Sequence, residues 1–598
     1  MEADMETKLR KDVEDKFKWK LEDMYATDEE WEKSFANMYA TKRDLEKYRG
    51  KLNNAEDILA FLQENAEYDC EISKLYVYAR MRKDQDVSVT KYQEMTDKID
   101  NLAVELGSIY SFVKVELSAN SKEFLEDLST RPEFADFDYE LKEIARFKER
   151  TLSDGEEKLL AEVKSFSGLF HDAFEMFDNA DIKFEPFVDS EGNTVKLSHG
   201  LYGVYLQSGD REDRRKAFES MFGAYKSMIN TVATLYSGNV KKNNFFAKVR
   251  KYDGALQMAM DGENVTPTVY KKLVECIDEA LPLLHDYMEY RRQKLGYEQL
   301  HMYDLHTAIF ECNIDNTDYD EAKKIVKEGL KPLGEEYARL LDTAFEQGWI
   351  DVYENKGKRS GAYSWGSYGT HPYVLLNYNG TIHDVFTIAH ELGHAMHSYY
   401  SNLNQPYSKA GYEIFVAEVA STVNETLLLK SLLKTAKGED KKYLLSYLLD
   451  MFRTTVFRQT QFAEFEAKAH EMAQNGEALT PQSLSDTYYR LNTKYYGQGK
   501  VVQDDLIRYE WARIPHFYRS FYVYKYATGL ISAVCIADDI LNEGQRAVDK
   551  YKKFLSAGGS MPPVEILKLA GVDLTTDEPY KKAMRVFEET LAELKACD

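Results

Sequence analysis

The stretch FTIAHELGHAMHSYY, residues 386–400, sets two histidines and a glutamate inside an apolar run. Ionisable groups are costly to bury unless something pairs them. His390 and His394 stand four positions apart. Residues at that spacing share one face of a helix, about 6 Å apart along its axis. Two imidazoles so placed can converge on one metal ion. Glu391 points roughly 100° around the same helix, where it can reach a water on that ion without ligating it. That division of labour is the one zinc hydrolases use. The competing reading is a packed pair of core histidines with a surface glutamate.

The flanks support a helix here. Upstream, residues 360–381 are rich in Gly, Ser and aromatics, and HPYVLLNY (371–378) reads as a strand that Asn379–Gly380 ends. Thr381 followed by Asp384 has the spacing of a capping box, so a helix is predicted from Ile382. A catalytic zinc takes a third protein ligand and keeps a position open. His397 lies on nearly the face of His394, but seven residues from His390, about 10 Å along a straight helix. The other candidate is Glu418, in FVAEVAST (415–422), flanked by Phe415, Val416, Ala417, Val419 and Ala420. A carboxylate embedded in such a run must be neutralised or bind a cation. Glu418 is the preferred ligand. His397 then becomes a supporting or packing residue, and Glu413 and Glu425, at more polar edges, read as solvated.

The whole chain sets bounds around this motif. Its 598 residues exceed one ordinary core, so two or more domains are expected. Hydrophobic residues are 44% and charged residues 30%, a globular composition. The net charge of −24 speaks against nucleic acid or an anionic membrane as partner, since both need clustered Lys and Arg. Five scattered cysteines (Cys70, Cys276, Cys312, Cys535 and Cys597) form no CxxC pair, so neither a disulfide framework nor a cysteine-bound zinc is expected. The opening MEADMETKLRKDVEDKFKWK has no apolar core for export, and no run of about 18 apolar residues occurs. A reduced, cytoplasmic protein is the expectation. Twelve prolines and long three-to-four apolar spacings, as in residues 54–83, predict a mainly α chain. The pattern breaks at IKFEPFVDSEGNTVKLSHG (182–200), a predicted hairpin around SEGN. A boundary there divides the chain into an N-terminal helical domain, 1–195, and a catalytic domain, 196–598.

HELGHAMH followed by FVAEVAST resembles the thimet-oligopeptidase family of zinc endopeptidases, and most closely its bacterial branch, the oligoendopeptidase F group. FKWKLEDMYATDEEWE (17–32), YDGALQMAMDGENVTPTVY (252–270), residues 371–394 and RYEWARIPHFYRSFYVYKYATG (508–529) resemble that branch too, in the expected order. The resemblance implies one zinc ion per chain, held by His390, His394 and Glu418, with Glu391 as general base acting on a zinc-activated water. It implies a zincin-like, two-lobed helical bowl with a deep central channel and a small β-sheet beside the motif helix. It also implies cleavage of internal bonds in short peptides.

The late segment carries His516, Tyr518, Tyr522, Tyr524 and Tyr526. Tyrosines at helical spacing are core packing by default. The family, however, uses a histidine and a tyrosine to donate hydrogen bonds to the oxyanion. His516 matches the histidine, and Tyr518 and Tyr524 match best by position. The glycines that the thimet branch carries before its tyrosines are absent, with Arg519 and Ser520 nearby instead. Two other readings compete: an exopeptidase on the same scaffold, and a peptide-binding protein without catalysis. The intact His390, Glu391, His394 and Glu418 speak against the second, since a binder needs no base.

Overall fold

The computed structural model describes residues 7–311, 316–497, 499 and 501–598. Cys312 and the first six residues of the N-terminal stretch lie outside these. Helices make up most of the described chain, and its short strands form sheets of two or three strands. The chain folds as two compact units, each assembled from three separate stretches. Met1–Thr151, Ile314–Ser431 and Ile536–Gly571 form the first, and Leu152–Asn313, Leu432–Cys535 and Val572–Asp598 the second. The hairpin expected within 182–200 is present, with Phe187–Val188 antiparallel to Thr194–Val195. It lies in the second unit, so residues on both sides of position 195 share that unit.

The first unit holds the motif. Three strands, β1 (Ile350–Asp351), β2 (Tyr363–Trp365) and β3 (Tyr373–Leu375), form one sheet in the order β1-β3-β2. The strand expected over 371–378 is therefore present but three residues long, and its backbone bonding to the β1 segment continues to Tyr378, whose N–H donates to the Val352 carbonyl at 3.0 Å. β3 is fully buried in the middle. β1 runs parallel to it, and β2 antiparallel, with Ser364 opposite Val374. Among the described residues, β2 thus keeps one edge unpaired. Tyr373 and Leu375 join a core cluster with Trp19, Leu21, Trp31, Tyr78 and Ile99, so the helices of the N-terminal stretch bury their apolar faces on this sheet. Asp351 on β1 is buried too, and it is satisfied: Arg10 Nη1 stands 2.8 Å and Lys358 Nζ 2.7 Å from its carboxylate. Burial works against its charge, yet these two cations hold its carboxyl below the ordinary range.

Helix α1 (Ile382–Asn404) begins where the capping pattern places it. Thr381 Oγ1 accepts from the backbone N–H of Asp384 at 3.1 Å, and the Asp384 carboxylate accepts from the N–H of Thr381 at 3.0 Å. Its apolar face (Val385, Phe386, Ile388, Ala389, Leu392 and Met396) is buried, and the helix packs against β2 and β3. Helix α2 (Ile414–Thr435) follows.

In the second unit the helices Ile229–Val249, Arg458–Gln474 and Pro481–Tyr496 pack together. Tyr236, Phe465, Trp511 and Phe517 form an aromatic core between them. A 3₁₀ turn, Pro515–Tyr518, then leads through a bend to the helix Tyr524–Glu543.

Candidate metal centre

α1 and α2 meet at a glycine. A Cβ on Gly393 would stand 2.5 Å from Ser421 Cα and 2.6 Å from the Ala420 carbonyl oxygen, so only a hydrogen side chain allows this approach. One turn away the contact is polar. Asn424 Nδ2 on α2 donates to the Ala389 carbonyl at 2.9 Å, and its own Oδ1 accepts from the Tyr337 hydroxyl at 3.1 Å. The two helices are therefore locked in register on either side of His390.

This register brings three donor atoms to one point. His390 Nε2 and His394 Nε2 lie 3.2 Å apart. Glu418 Oε2 lies 3.4 Å from the first and 3.3 Å from the second. Four ligands about 2.0–2.1 Å from a tetrahedral zinc are separated from one another by about 3.3 Å. The triangle therefore fits such an ion, and its donor set, two imidazoles and a carboxylate, is one that zinc accepts. It is the one cluster of at least three His, Cys, Asp or Glu ligand atoms found among the described residues.

The electrostatics follow from the packing. Burial opposes a charge on His390, but its hydrogen bond with Glu425 and the charges of Glu425, Glu391 and Glu418 raise it to about 9. Burial also opposes a charge on Glu418, but the hydrogen bond with His394, the two imidazoles and Ser421 Oγ, at 3.1 Å, hold it down to about 2. A negative site with both imidazoles directed at it is one that a cation would neutralise. Glu391 sits outside the triangle. Its side chain is buried, its Oε2 has no hydrogen-bond partner among the described residues, and burial raises its carboxyl.

Glu418, expected to be embedded among apolar neighbours, is half exposed. Phe415, Val416, Val419 and Ala420 are buried, but the Glu418 side chain keeps 50% of its exposure. It points the other way from its apolar neighbours, towards the imidazoles, so it is not embedded. Glu425, expected at a solvated edge, is instead drawn into the site. Its Oε1 stands 2.6 Å from His390 Nδ1. The available signal was spacing: it follows Glu418 by seven residues, two helical turns along the same face. His397 is fully buried beside this site and packs face to face on Tyr412, ring centroids 3.8 Å apart. It takes no part in the triangle.

The aromatic segment lies in the second unit. His516 Nε2 is 3.3 Å from the Tyr526 hydroxyl, and the Tyr522 ring lies parallel to the imidazole at 6.0 Å. The two tyrosines expected by position are elsewhere. Tyr518 is buried and stacked on Phe174 at 4.5 Å, and Tyr524 is buried against Tyr270. The bend between the 3₁₀ turn and the next helix turns Tyr522 and Tyr526 back onto His516 instead.

Residues 204–586 match the model of Peptidase family M3, and residues 116–184 that of Oligopeptidase F. The chain is 43% identical to the oligopeptidase PepF of Bacillus subtilis, across 98% of this chain and 88% of that protein. It is 40% identical to an oligoendopeptidase F homolog of Lactococcus lactis, across 98% of both. Among solved structures, oligoendopeptidase-F from Enterococcus faecium superposes with a TM-score of 0.73 at 34% identity, covering 95% of this chain and 99% of that one. A Chlamydophila abortus crystal structure reaches 0.95 at 37% identity, covering 99% and 100%.

Proposed function

The chain belongs to peptidase family M3 and is a metallo-oligopeptidase; on that premise we propose that it cuts internal bonds of short peptides, with zinc at the His390–His394–Glu418 triangle and Glu391 as general base. The triangle of three donor atoms, with edges of 3.2 to 3.4 Å, carries the reading.

His390 Nε2, His394 Nε2 and Glu418 Oε2 would hold the ion. When bound, zinc lowers the pKa of water towards 7 and polarises a carbonyl. Glu391 takes a proton from the attacking water and passes it to the leaving amine. Burial raises its carboxyl, which makes it the stronger base for that step. His516, with Tyr522 and Tyr526 against it, donates hydrogen bonds to the oxygen that gains charge as the scissile carbon becomes tetrahedral. Preorganised donors of that kind are each worth about 2.7–4 kcal/mol. An extended peptide can add to the free edge of β2 through main-chain hydrogen bonds, which are indifferent to sequence. The reading places this activity in the cytosol, supported by cysteines 70, 276, 535 and 597 forming no disulfide among the described residues. Among the described residues no helix is long and apolar enough to cross a membrane.

The test is a quenched peptide blocked at both ends, assayed beside metal analysis. Purified enzyme is expected to hold one zinc per chain and to cut the peptide, and a chelator removes both. Cleavage confined to peptides with a free end would make it an exopeptidase. Zinc binding without any cleavage would leave a binder.

A further inference from the structure

The bend that turns Tyr522 and Tyr526 onto His516 contains a strained residue. Phe521 has φ of +55°, a conformation that bulky side chains avoid unless their surroundings hold them in it. Its backbone N–H donates to Oε1 of Glu466 at 2.8 Å. Glu466 lies on the helix Arg458–Gln474 and is wholly buried. Its other oxygen, Oε2, has no hydrogen-bond partner among the described residues.

The rest of the neighbourhood is built around the same contact. His470, one turn on, packs its ring on Phe521 at 4.6 Å. Its Nδ1 bonds the Glu466 carbonyl at 2.8 Å and its Nε2 the Asn243 amide at 3.0 Å, so both ring nitrogens are used. Tyr270 packs edge-on against Phe521 from the other side. On the near side of the bend, Asn239 Nδ2 donates to the Phe517 carbonyl at 3.1 Å. His470 and Tyr270 hold the Phe521 ring, and Asn239 holds the bend at its flank. Glu466 alone among them grips the backbone of the strained residue.

A carboxyl is an odd choice for that grip. A buried acceptor for one N–H needs no ionisable group, and the second oxygen is buried at a cost that this grip does not require. Burial pushes this carboxyl up to about 8, with the Phe521 hydrogen bond pulling the other way, so at neutral pH it is mostly the neutral acid. As the neutral acid it is an uncharged acceptor, for which glutamine is the close equivalent.

We propose that Glu466 is a positioning residue: by holding the Phe521 N–H it fixes the bend that brings Tyr522 and Tyr526 onto His516. This rests on the reading that His516 takes part in peptide hydrolysis. Glu466 itself touches neither substrate nor metal ligand. Its effect should pass wholly through the His516 cluster and leave the triangle on α1 and α2 unchanged.

The experiment is a double-mutant cycle in the zinc-loaded full-length enzyme, read as kcat, KM and zinc per chain on the blocked peptide. Glu466→Gln keeps an uncharged acceptor and is expected to stay within about threefold of the parent. Glu466→Leu removes it and should lower kcat about 10- to 100-fold, as a misplacement of about 1 Å does, with KM and zinc content within about twofold. In a His516→Gln background the same Leu change should cost less than about threefold, because the group it positions is gone. If Glu466→Leu folds poorly, Glu466→Met carries the same comparison. Parent-like kcat in Glu466→Leu, with His516→Gln impaired, overturns this proposal and leaves the function standing. So does an equal loss with and without His516, which would mean general damage to the fold, or a Gln variant as impaired as the Leu one. A fully active His516→Gln overturns the underlying role of His516, and the proposal with it.

Discussion

Glu425 Oε1 stands 2.6 Å from His390 Nδ1, and that contact decides which way the imidazole faces. With Nδ1 occupied by a carboxylate, Nε2 is left to point at His394 and Glu418. A carboxylate behind a ligand imidazole fixes its tautomer and raises its basicity, and losing one typically weakens metal binding about 10- to 100-fold. Glu425→Ala is expected to weaken zinc affinity by that factor, measured by competition with a chromogenic chelator. An unchanged affinity would show that the contact does not orient the ligand.

Glu391→Gln separates binding from chemistry. Oε2 of Glu391 has no partner to lose among the described residues, and glutamine matches the side chain in shape. Zinc per chain should stay at the parental value. Loss of a general base should lower kcat by about 10²–10⁴-fold. A variant as active as the parent would remove Glu391 from the reaction.

What could be read from the sequence was local. The start of α1 needs four residues, Thr381 to Asp384, and their side chains write its hydrogen bonds directly. The pairing of His390 with His394 follows from helical pitch alone. Glu418 is a harder case: burial of its neighbours says nothing of a side chain that leaves the helix on another face. The polarity of its neighbours hides Glu425, which its two-turn spacing from Glu418 places on the same face of the helix. The placement of the tyrosines is hidden differently. Periodicity assumes one continuous helix, and between His516 and Tyr524 the chain bends through Phe521 at φ +55°, which no spacing rule announces. The interleaving of three stretches into each unit depends on contacts hundreds of residues apart, such as Arg10 with Asp351.

His397 gives a prediction with a pH sign. It is fully buried, neither ring nitrogen has a hydrogen-bond partner among the described residues, and burial, with the nearby His394, lowers it to about 3. The unfolded chain takes up this proton near 6.5 and the folded one near 3, so below about pH 6.5 the unfolded state binds more protons. Stability must then fall with falling pH, by up to about 1.4 kcal/mol per unit. His397→Phe keeps the stack on Tyr412 and removes the titration. Its stability relative to the parent should rise by roughly 2 kcal/mol between about pH 7.5 and 5, in denaturant melts of metal-free protein. Zinc affinity at neutral pH should not change. A marked loss of zinc would return His397 to the ligand set.

Gly393 tests whether the helix contact sets the site. It lies between the two histidines on α1, and Ser421 lies between Glu418 and Glu425 on α2, so one close approach holds all four side chains. An added methyl would meet Ser421 Cα at 2.5 Å, the Ala420 carbonyl at 2.6 Å and Ser421 N at 2.8 Å. These are backbone atoms, which no rotamer change can move aside, so α2 itself must shift. Overpacking of this kind costs about 1–3 kcal/mol. Gly393→Ala should therefore lower the melting temperature. It should also weaken zinc binding, because the shift carries Glu418 away from the imidazoles. Trimming the opposite side chain should not help. Ser421→Gly leaves Cα, N and the Ala420 carbonyl in place, so the double variant should bind zinc no better than Gly393→Ala alone. Rescue by Ser421→Gly would mean that side chains, not backbones, set the distance between the two helices.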